Sequence, residues 1–491
     1  MGDFTYKSIA KANSIFGGVQ LINILIGIIR SKFVAIILGP SGIGLMGLFQ
    51  STLDLIKSGT NMGLSTSAIR DVSIAYNTND INKIKSTKTI VSRLFWITGL
   101  LGTLITYISA PYLSEITFSN TNYTIHFRIL SIVLLINQLT AQHNVILQGM
   151  RQLKKLARAN IIGSILGLVI NIPLFYFLGE NGIIPALILI ALFSYLVAWY
   201  NSNKLNLENQ NISWKETFIK GGSMLKMGFM LSLTGFMDML TIYIIKVAIQ
   251  DWGSLADVGL YTAGFAIVQQ YVNLIFGAIG TDYFPRLCAA SNNKTEYCEI
   301  ANKQFEIMIL VLTPLVLIFI SFSPILLYIL YSSKFLSVSM MINWIAFGML
   351  LRAYSWCPGY LYLAKGDTKL YFIIYIVTFF VNIILYLGGY KLGGLTGLGI
   401  AFPLLNFIVI VMGLYIIYKK YNFVYSRTSN ILILFSLIAG GLLIISSYLT
   451  SAPYTYIINI PIIVISSIYS YKQLDKRLEL KSFIINKFNK H

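Results

Sequence analysis

The sequence predicts an all-α integral membrane protein of about 14 transmembrane helices with both termini cytoplasmic, on three observations. Of its 491 residues, 56% are hydrophobic and only 11% are charged, with a mean hydropathy of +0.72. Soluble domains carry about 25% charged residues, so the charges here are too few to cover a soluble particle of this size. The apolar residues also gather into runs of about 20, the length that crosses a hydrocarbon core of about 30 Å. Finally, the segments between the runs are alternately rich and poor in Lys and Arg, as the positive-inside rule requires.

The runs lie at 13–38, 42–66, 90–111, 125–149, 158–179, 182–200, 222–248, 257–281, 304–323, 340–363, 370–388, 393–418, 429–448 and 454–471. The first is too long for a signal-peptide core and lacks a small-residue cleavage site, so it reads as a retained span. The apolar stretch 325–331 is too short to cross and reads as a helix extension or an interfacial turn. Every second connection is basic: Arg70, Lys83, Lys85, Lys88 and Arg93 follow the second run, and Arg151, Lys154, Lys155 and Arg158 follow the fourth. With the N-terminal segment, the later inner loops and the tail, these hold 29 of the 37 Lys and Arg. The outer loops hold mainly Lys334 and Lys391, beside Glu115, Glu180, Asp251 and Asp257. A miscounted span in the middle would scramble this alternation.

Two hairpin signatures recur at one offset. Ile43-Gly44-Leu45 opens the second run, and Val258-Gly259-Leu260 opens the eighth. Gly179-Glu180-Asn181-Gly182-Ile183 joins the fifth and sixth runs, and Gly394-Leu395-Thr396-Gly397-Leu398 joins the eleventh and twelfth. The step from Gly44 to Gly259 equals the step from Gly182 to Gly397, and that step is the repeat length. The expected organisation is therefore two pseudo-symmetric six-helix lobes, 1–203 and 204–420. Two extra helices and a basic cytoplasmic tail follow in 421–491. An even number of spans per repeat makes the halves parallel, related by an axis along the membrane normal.

Six cations fall inside runs: Arg30, Lys32, Lys57, Arg128, Lys246 and Arg352. Each costs about 2.5–3.5 kcal/mol on insertion scales, so each is a functional candidate by default. Helical spacing groups several with other polar residues on one face. Gln20, Asn23, Gly27 and Arg30 form one stripe; Gln50, Asp54, Lys57 and Asn61 form a second. Asn137, Asn144 and Gln148 share a face, as do Thr262, Gln269 and Asn273, and Trp344, Gly348, Arg352, Ser355 and Gly359. Such stripes avoid lipid and face one another, water or a substrate. The bland alternative is interhelical glue. Asp54 and Lys57 are spaced to pair at i, i+3, while Lys32 and Lys246 are placed to snorkel to an interface. Asp54 and Asp238 are the candidates for ion coupling. A cavity rich in Arg and Lys suits an anion, because guanidinium groups fork onto phosphate. The amides of Gln20, Asn23, Gln50, Asn137, Asn144, Gln269 and Asn273, with the ring of Trp344, suit a hydroxyl-rich partner such as sugar.

Other classes fare worse. The net charge of +19 would suggest nucleic acid in a polar chain, but in one this apolar it reads as loops facing anionic headgroups. The three cysteines and three histidines show no metal-ligand spacing, so no metal site or cofactor is expected. There is no Walker A motif, and no stretch long and polar enough to form a separate soluble domain. Short outer loops count against a membrane polymerase or transferase.

The chain resembles the polysaccharide-transporter branch of the multidrug/oligosaccharidyl-lipid/polysaccharide superfamily, and within it the Wzx-type flippases of O-antigen and enterobacterial common antigen. The residues that carry this are Lys32-Phe33-Val34-Ala35 through Leu38-Gly39-Pro40-Ser41-Gly42-Ile43-Gly44-Leu45, then Gly259-Leu260-Tyr261, Phe284-Pro285-Arg286-Leu287, Ser333-Lys334-Phe335 and Gly359-Tyr360-Leu361-Tyr362-Leu363-Ala364-Lys365. The resemblance implies a flippase of the bacterial inner membrane, active as a monomer. It would move undecaprenyl-diphosphate-linked oligosaccharide to the outer leaflet by alternating access through a cationic central cavity. Arg30, Lys32, Lys57 and Arg352 would then hold the diphosphate or acidic sugars. Membrane lipids, a polysaccharide polymerase and chain-length proteins are the partners it implies. The rivals are a multidrug exporter of the same superfamily, whose cationic drugs would want an acidic cavity, and a membrane glycosyltransferase or polymerase, which would need paired inward carboxylates.

Overall fold

A computed structural model describes residues 6–208, 210–450 and 454–478, with side chains from Ile22 onward apart from a few positions, Asn273 among them. Thirteen helices follow in order among the described residues. They are α1 (Tyr6–Thr60), α2 (Leu64–Asn77), α3 (Ile81–Phe118), α4 (Thr124–Gly149), α5 (Leu153–Leu178), α6 (Ile183–Asn203) and α7 (Trp214–Trp252). Then come α8 (Leu255–Ala289), α9 (Lys294–Leu330), α10 (Ser339–Ala364), α11 (Thr368–Tyr421), α12 (Arg427–Leu449) and α13 (Tyr454–Leu478). No strand occurs among the described residues. Ten stretches among them are long and apolar enough to cross a membrane, and the two segments of α8 pass the same test together.

Some of these stretches are far longer than one crossing. An unbroken helix as long as α1 would extend about 80 Å against a core of about 30 Å. The helical path of α1 breaks at Gly39 (φ 64°, ψ −169°), next to Pro40, which has no N–H to donate. The path of α11 breaks at Gly393 and at Gly394 (φ 56°, ψ −141°). Between α5 and α6 the chain turns through Gly179 (φ 57°, ψ −134°). Each break falls where the sequence predicts a turn between two apolar runs. The path of α9 is kinked at Phe322, ahead of Pro324, so the short stretch 325–331 extends that helix.

The sequence repeat is also a backbone repeat. Gly179 and Gly394, one repeat length apart, share one conformation. An added Cβ at Gly182 would lie 2.5 Å from the Leu174 carbonyl oxygen, and one at Gly397 would lie 2.1 Å from that of Gly389. Gly389 and Gly397 are the repeat equivalents of Leu174 and Gly182. The turn before α5 matches as well: Gln152 (φ −81°, ψ 54°) corresponds to Asp367 (φ −80°, ψ 56°). Left-handed Arg151 (φ 57°) corresponds to Gly366 (φ 74°).

The chain divides into two compact units, one comprising residues up to Gly259 with Leu330–Ser332, the other comprising the rest. In the first, α1 packs on α5 and α7, α3 on α4, and α6 on both α4 and α5. The second apolar run ends earlier than its sequence suggests, with α1 stopping at Thr60. Left-handed Gly63 (φ 59°) then starts α2, whose Leu64, Ala68, Val72 and Ala75 form an apolar stripe at helical spacing. That stripe packs on Ile90, Leu94 and Phe95 of α3 and on Val145 and Ile146 of α4. The connection from α6 to α7 is strapped onto α3. Lys88 donates to the Leu207 carbonyl, the Gln210 amide donates to Thr89 Oγ1 at 2.9 Å, and Arg93 donates to the Ile212 carbonyl at 2.7 Å and to Thr217 Oγ1 at 2.9 Å. Accordingly α7 packs in the first unit, although the sequence repeat places it at the head of the second half.

In the second unit α10 packs on α11 and α12, and α12 packs on α13. A polar cluster ties the last two helices down. The Glu306 carboxylate of α9 accepts from Arg477 of α13 at 2.9 and 3.0 Å, and from the hydroxyls of Ser426 and Ser429 at 3.2 and 3.3 Å. Neighbouring Asn302 accepts from the Ser426 amide at 2.7 Å and from the Ser429 hydroxyl at 2.8 Å. Further along, the buried hydroxyls of Thr313 and Ser436 lie 2.7 Å apart.

Candidate substrate cavities

The break in α1 makes the first cavity possible. In a straight helix Arg30 and Lys57 would lie about 40 Å apart. Folded back at Gly39, they line one cavity of about 470 Å³ inside the first unit. Asn23 joins from α1, Asn137, Thr140 and Asn144 from α4, Asn160 and Ser164 from α5, and Ser194 from α6. No Asp or Glu is among its described lining residues. The Ser164 hydroxyl donates to Asn23 Oδ1 at 2.9 Å and fixes that amide across the α1–α5 contact. The side-chain Oδ1 of Asn144 is buried and bonded to no protein donor.

Five of the sequence candidates thus meet in one place: Asn23, Arg30, Lys57, Asn137 and Asn144. Others do not join them. Gln50 donates to Asp54 at 3.1 Å, and no ion pair forms between Asp54 and Lys57 among the described residues. The i, i+3 spacing allowed that pair, but the carboxylate turns one helical turn back to the amide. Lys32 is half-buried and Asp238 lies on α7, and neither lines the cavity. Lys246 does not snorkel: it is 8% exposed and donates to the Gly47 carbonyl at 3.1 Å. The side chains of Gln20 and Asn273 lie outside the described residues. Sequence reasoning missed the polar face of α5. Asn160, Gly163, Ser164 and Gly167 all line the cavity, and their spacing of three and four is the signal that would have found them.

The second unit holds its own cavity of about 380 Å³ between α10 and the two halves of α11. Arg352, Ser355 and Gly359 of the α10 stripe line it, along with Trp356, Tyr371, Tyr375 and Val409. Arg352 donates to Gln269 at 3.3 Å and lies over the Phe276 ring at 5.6 Å. The upper members of the stripe leave it. Trp344 donates to the Tyr448 hydroxyl of α12 at 3.1 Å, and Gly348 abuts Phe402 and Pro403. Among the described residues no group of three His, Cys, Asp or Glu side chains is placed to hold a metal ion.

Ten long apolar stretches among the described residues, several of them broken, packed around interior cavities of which the first is polar, are the architecture of a multi-pass membrane protein. Residues 33–340 match the family described as polysaccharide biosynthesis protein, well over half the chain, and the chain belongs to that family. It is 22% identical over 381 residues to the Lipid III flippase of Escherichia coli (strain K12), an alignment covering 74% of this chain and 88% of that protein. Among solved structures it shares its fold with the Lipid II flippase MurJ in an inward closed conformation. That match has a TM-score of 0.68 and 15% identity, covering 96% of this chain and 99% of the other. It also shares the fold of an inward-facing multidrug resistance MATE family transporter of the MOP superfamily, with a TM-score of 0.66 and 17% identity, covering 82% and 94%.

Proposed function

We propose that this protein is a flippase that moves undecaprenyl-diphosphate-linked oligosaccharide from the cytoplasmic to the outer leaflet of the bacterial inner membrane. The observation that carries the reading is the first unit's cavity: two cations, Arg30 and Lys57, set among amides and hydroxyls with no carboxylate among its described lining residues. Unaided passage of a diphosphate through hydrocarbon is prohibitive. Guanidinium and ammonium groups stand in for its hydration, while the amides and hydroxyls match sugar. A cationic drug would meet repulsion here, which disfavours the multidrug-export reading. The family membership and the relative named Lipid III flippase support the same reading.

The topology we propose is the one the loop charges predict, with both termini inside. Counting α1, the α5–α6 segment and α11 as two crossings each, and α8 as one, brings the ten stretches to fourteen. Each unit alternately exposes its cavity to one leaflet and then the other. An inside-negative potential assists outward movement of an anion by about 2.3 kcal/mol per charge per 100 mV.

The test is deletion in the host, with surface polysaccharide and inner-leaflet lipid-linked oligosaccharide measured together. The flippase reading expects loss of surface polymer with complete units accumulating inside. Complementation with Arg30→Ala/Lys57→Ala at normal expression is expected to lower the flux roughly 10–100-fold, since a hydrogen bond to a charged group is worth about 1.5–3 kcal/mol. Accumulation of unpolymerised units on the outer side would instead move the protein to an enzymatic step and defeat the proposal.

A further inference from the structure

The two cavities are the same cavity twice. Lining residues Asn137, Ala141, Asn144, Asn160 and Ser194 of the first recur one repeat length later as Arg352, Trp356, Gly359, Tyr375 and Val409, which line the second. The backbone repeat frames this region on both sides, through the matched turns at Gln152 and Asp367 and the matched glycines Gly179 and Gly394. Equivalent backbone has therefore been refitted with different chemistry. Two amides and a hydroxyl have become a glycine, a phenol ring and a branched aliphatic, an alanine has become an indole, and a third amide has become an arginine.

We infer that the second unit's cavity seats a stretch of a few isoprene units of the hydrocarbon chain of a polyisoprenyl anion, the apolar part of the substrate class proposed above, on which this inference rests. Three features fit that occupant. The α10 wall, from Arg352 to Leu363, runs about 16 Å along the helix, the shape of a slot for a chain. The slot combines aromatic side chains, such as Trp356 and Tyr375, with branched aliphatics of α11, such as Leu405 and Val409, a lining that a methyl-branched, unsaturated chain fills better than a straight acyl chain. The one charged side chain among the described lining residues, Arg352, sits at one end of the α10 wall, and no Asp or Glu is among them to repel an anion. The slot is open at two glycines on facing walls: a Cβ added at Gly359 or at Gly413 meets no atom within 4 Å.

Those glycines make the test. The full chain in lipid nanodiscs is photolabelled with a polyisoprenyl diphosphate carrying a diazirine on its chain, and separately with phosphatidylglycerol carrying the same group on an acyl chain. Labelled peptides are then mapped. The polyisoprenyl probe is expected to mark 352–378 or 405–417 at least fivefold more than the phospholipid does. Gly359→Leu and Gly413→Leu, which fill the slot from opposite sides, are each expected to cut that labelling at least fivefold. Leucine is a better helix former than glycine, so both variants should fold, and their melting temperatures check this. Equal labelling by phosphatidylglycerol overturns the inference by making the slot a general lipid site. Labelling elsewhere, indifferent to both variants, overturns it while leaving the flippase reading intact. No polyisoprenyl labelling anywhere on the protein overturns both.

Discussion

At the scale of single residues, the polar groups inside the bundle answer to their immediate neighbours more than to their spacing. Asn23 and Arg30 could be read from one helical stripe, because a stripe needs only the chain itself. The partners of Asp54, Trp344 and Lys246 could not, since each is chosen from several geometrically allowed ones by tertiary packing. Outside the membrane, Asp367 shows the electrostatics plainly. The Tyr421 hydroxyl and then Lys420, whose ammonium lies 3.0 Å away, hold its carboxyl below the usual carboxylate range. A depressed carboxylate contributes stability that is complete above the ordinary value, near pH 4, and is lost as pH falls from there through the lower folded-state value. Thermal unfolding in detergent should therefore find Asp367→Asn less stable than wild type at pH 7, with the two curves converging as the pH is taken below the ordinary carboxylate range. A constant difference across that range would show that the carboxylate's charge is not the stabilising feature.

At the scale of elements, the hairpins were the most legible part of the fold. Glycine pairs at a fixed offset were visible in the letters, and the structure shows why they are glycines: Gly182 and Gly397 each press against a carbonyl oxygen across the turn, that of Leu174 and that of Gly389. Overpacking such a contact costs about 1–3 kcal/mol, occasionally more. Gly182→Leu and Gly397→Leu should lower the melting temperature by similar amounts, as equivalent members of a repeat, and a loss at only one would mean the two hairpins carry unequal load. Helix α2 was hidden from the sequence because its apolar stripe is short and follows directly on a span. The polar face of α5 was hidden because glycines interrupt it. For the C-terminal pair, Arg477→Ala would leave Glu306 with its hydroxyl partners alone. A buried acceptor losing a charged partner costs about 1–3 kcal/mol. Limited proteolysis should then cut near α13 sooner than in wild type, and Glu306→Gln in the same background should recover part of the loss.

At the scale of the whole molecule, the sequence conveyed the membrane class, the family and the existence of a repeat, because all three depend on composition and period. It did not convey that each unit encloses a cavity of its own, because a cavity is a property of three or four helices at once. Arg30 and Lys57 illustrate the gap. Each was a candidate alone, and only the fold at Gly39 sets them on one wall. Purified protein bearing Arg30→Ala/Lys57→Ala should lose affinity for a soluble diphosphate-sugar probe roughly 10–100-fold while keeping its melting temperature within a few degrees. Unchanged affinity would place the anion elsewhere.

The bond between Glu306 and Arg477 has a bearing on how the chain is made. The two residues lie 171 positions apart, so at about 5–20 residues per second the ribosome delivers the arginine roughly 10–30 s after the glutamate. Helices α10, α11 and α12 are synthesised in that interval, before Glu306 can meet its cation. Helix α13 thus closes a charge that α9 has carried since before α10, α11 and α12 were made.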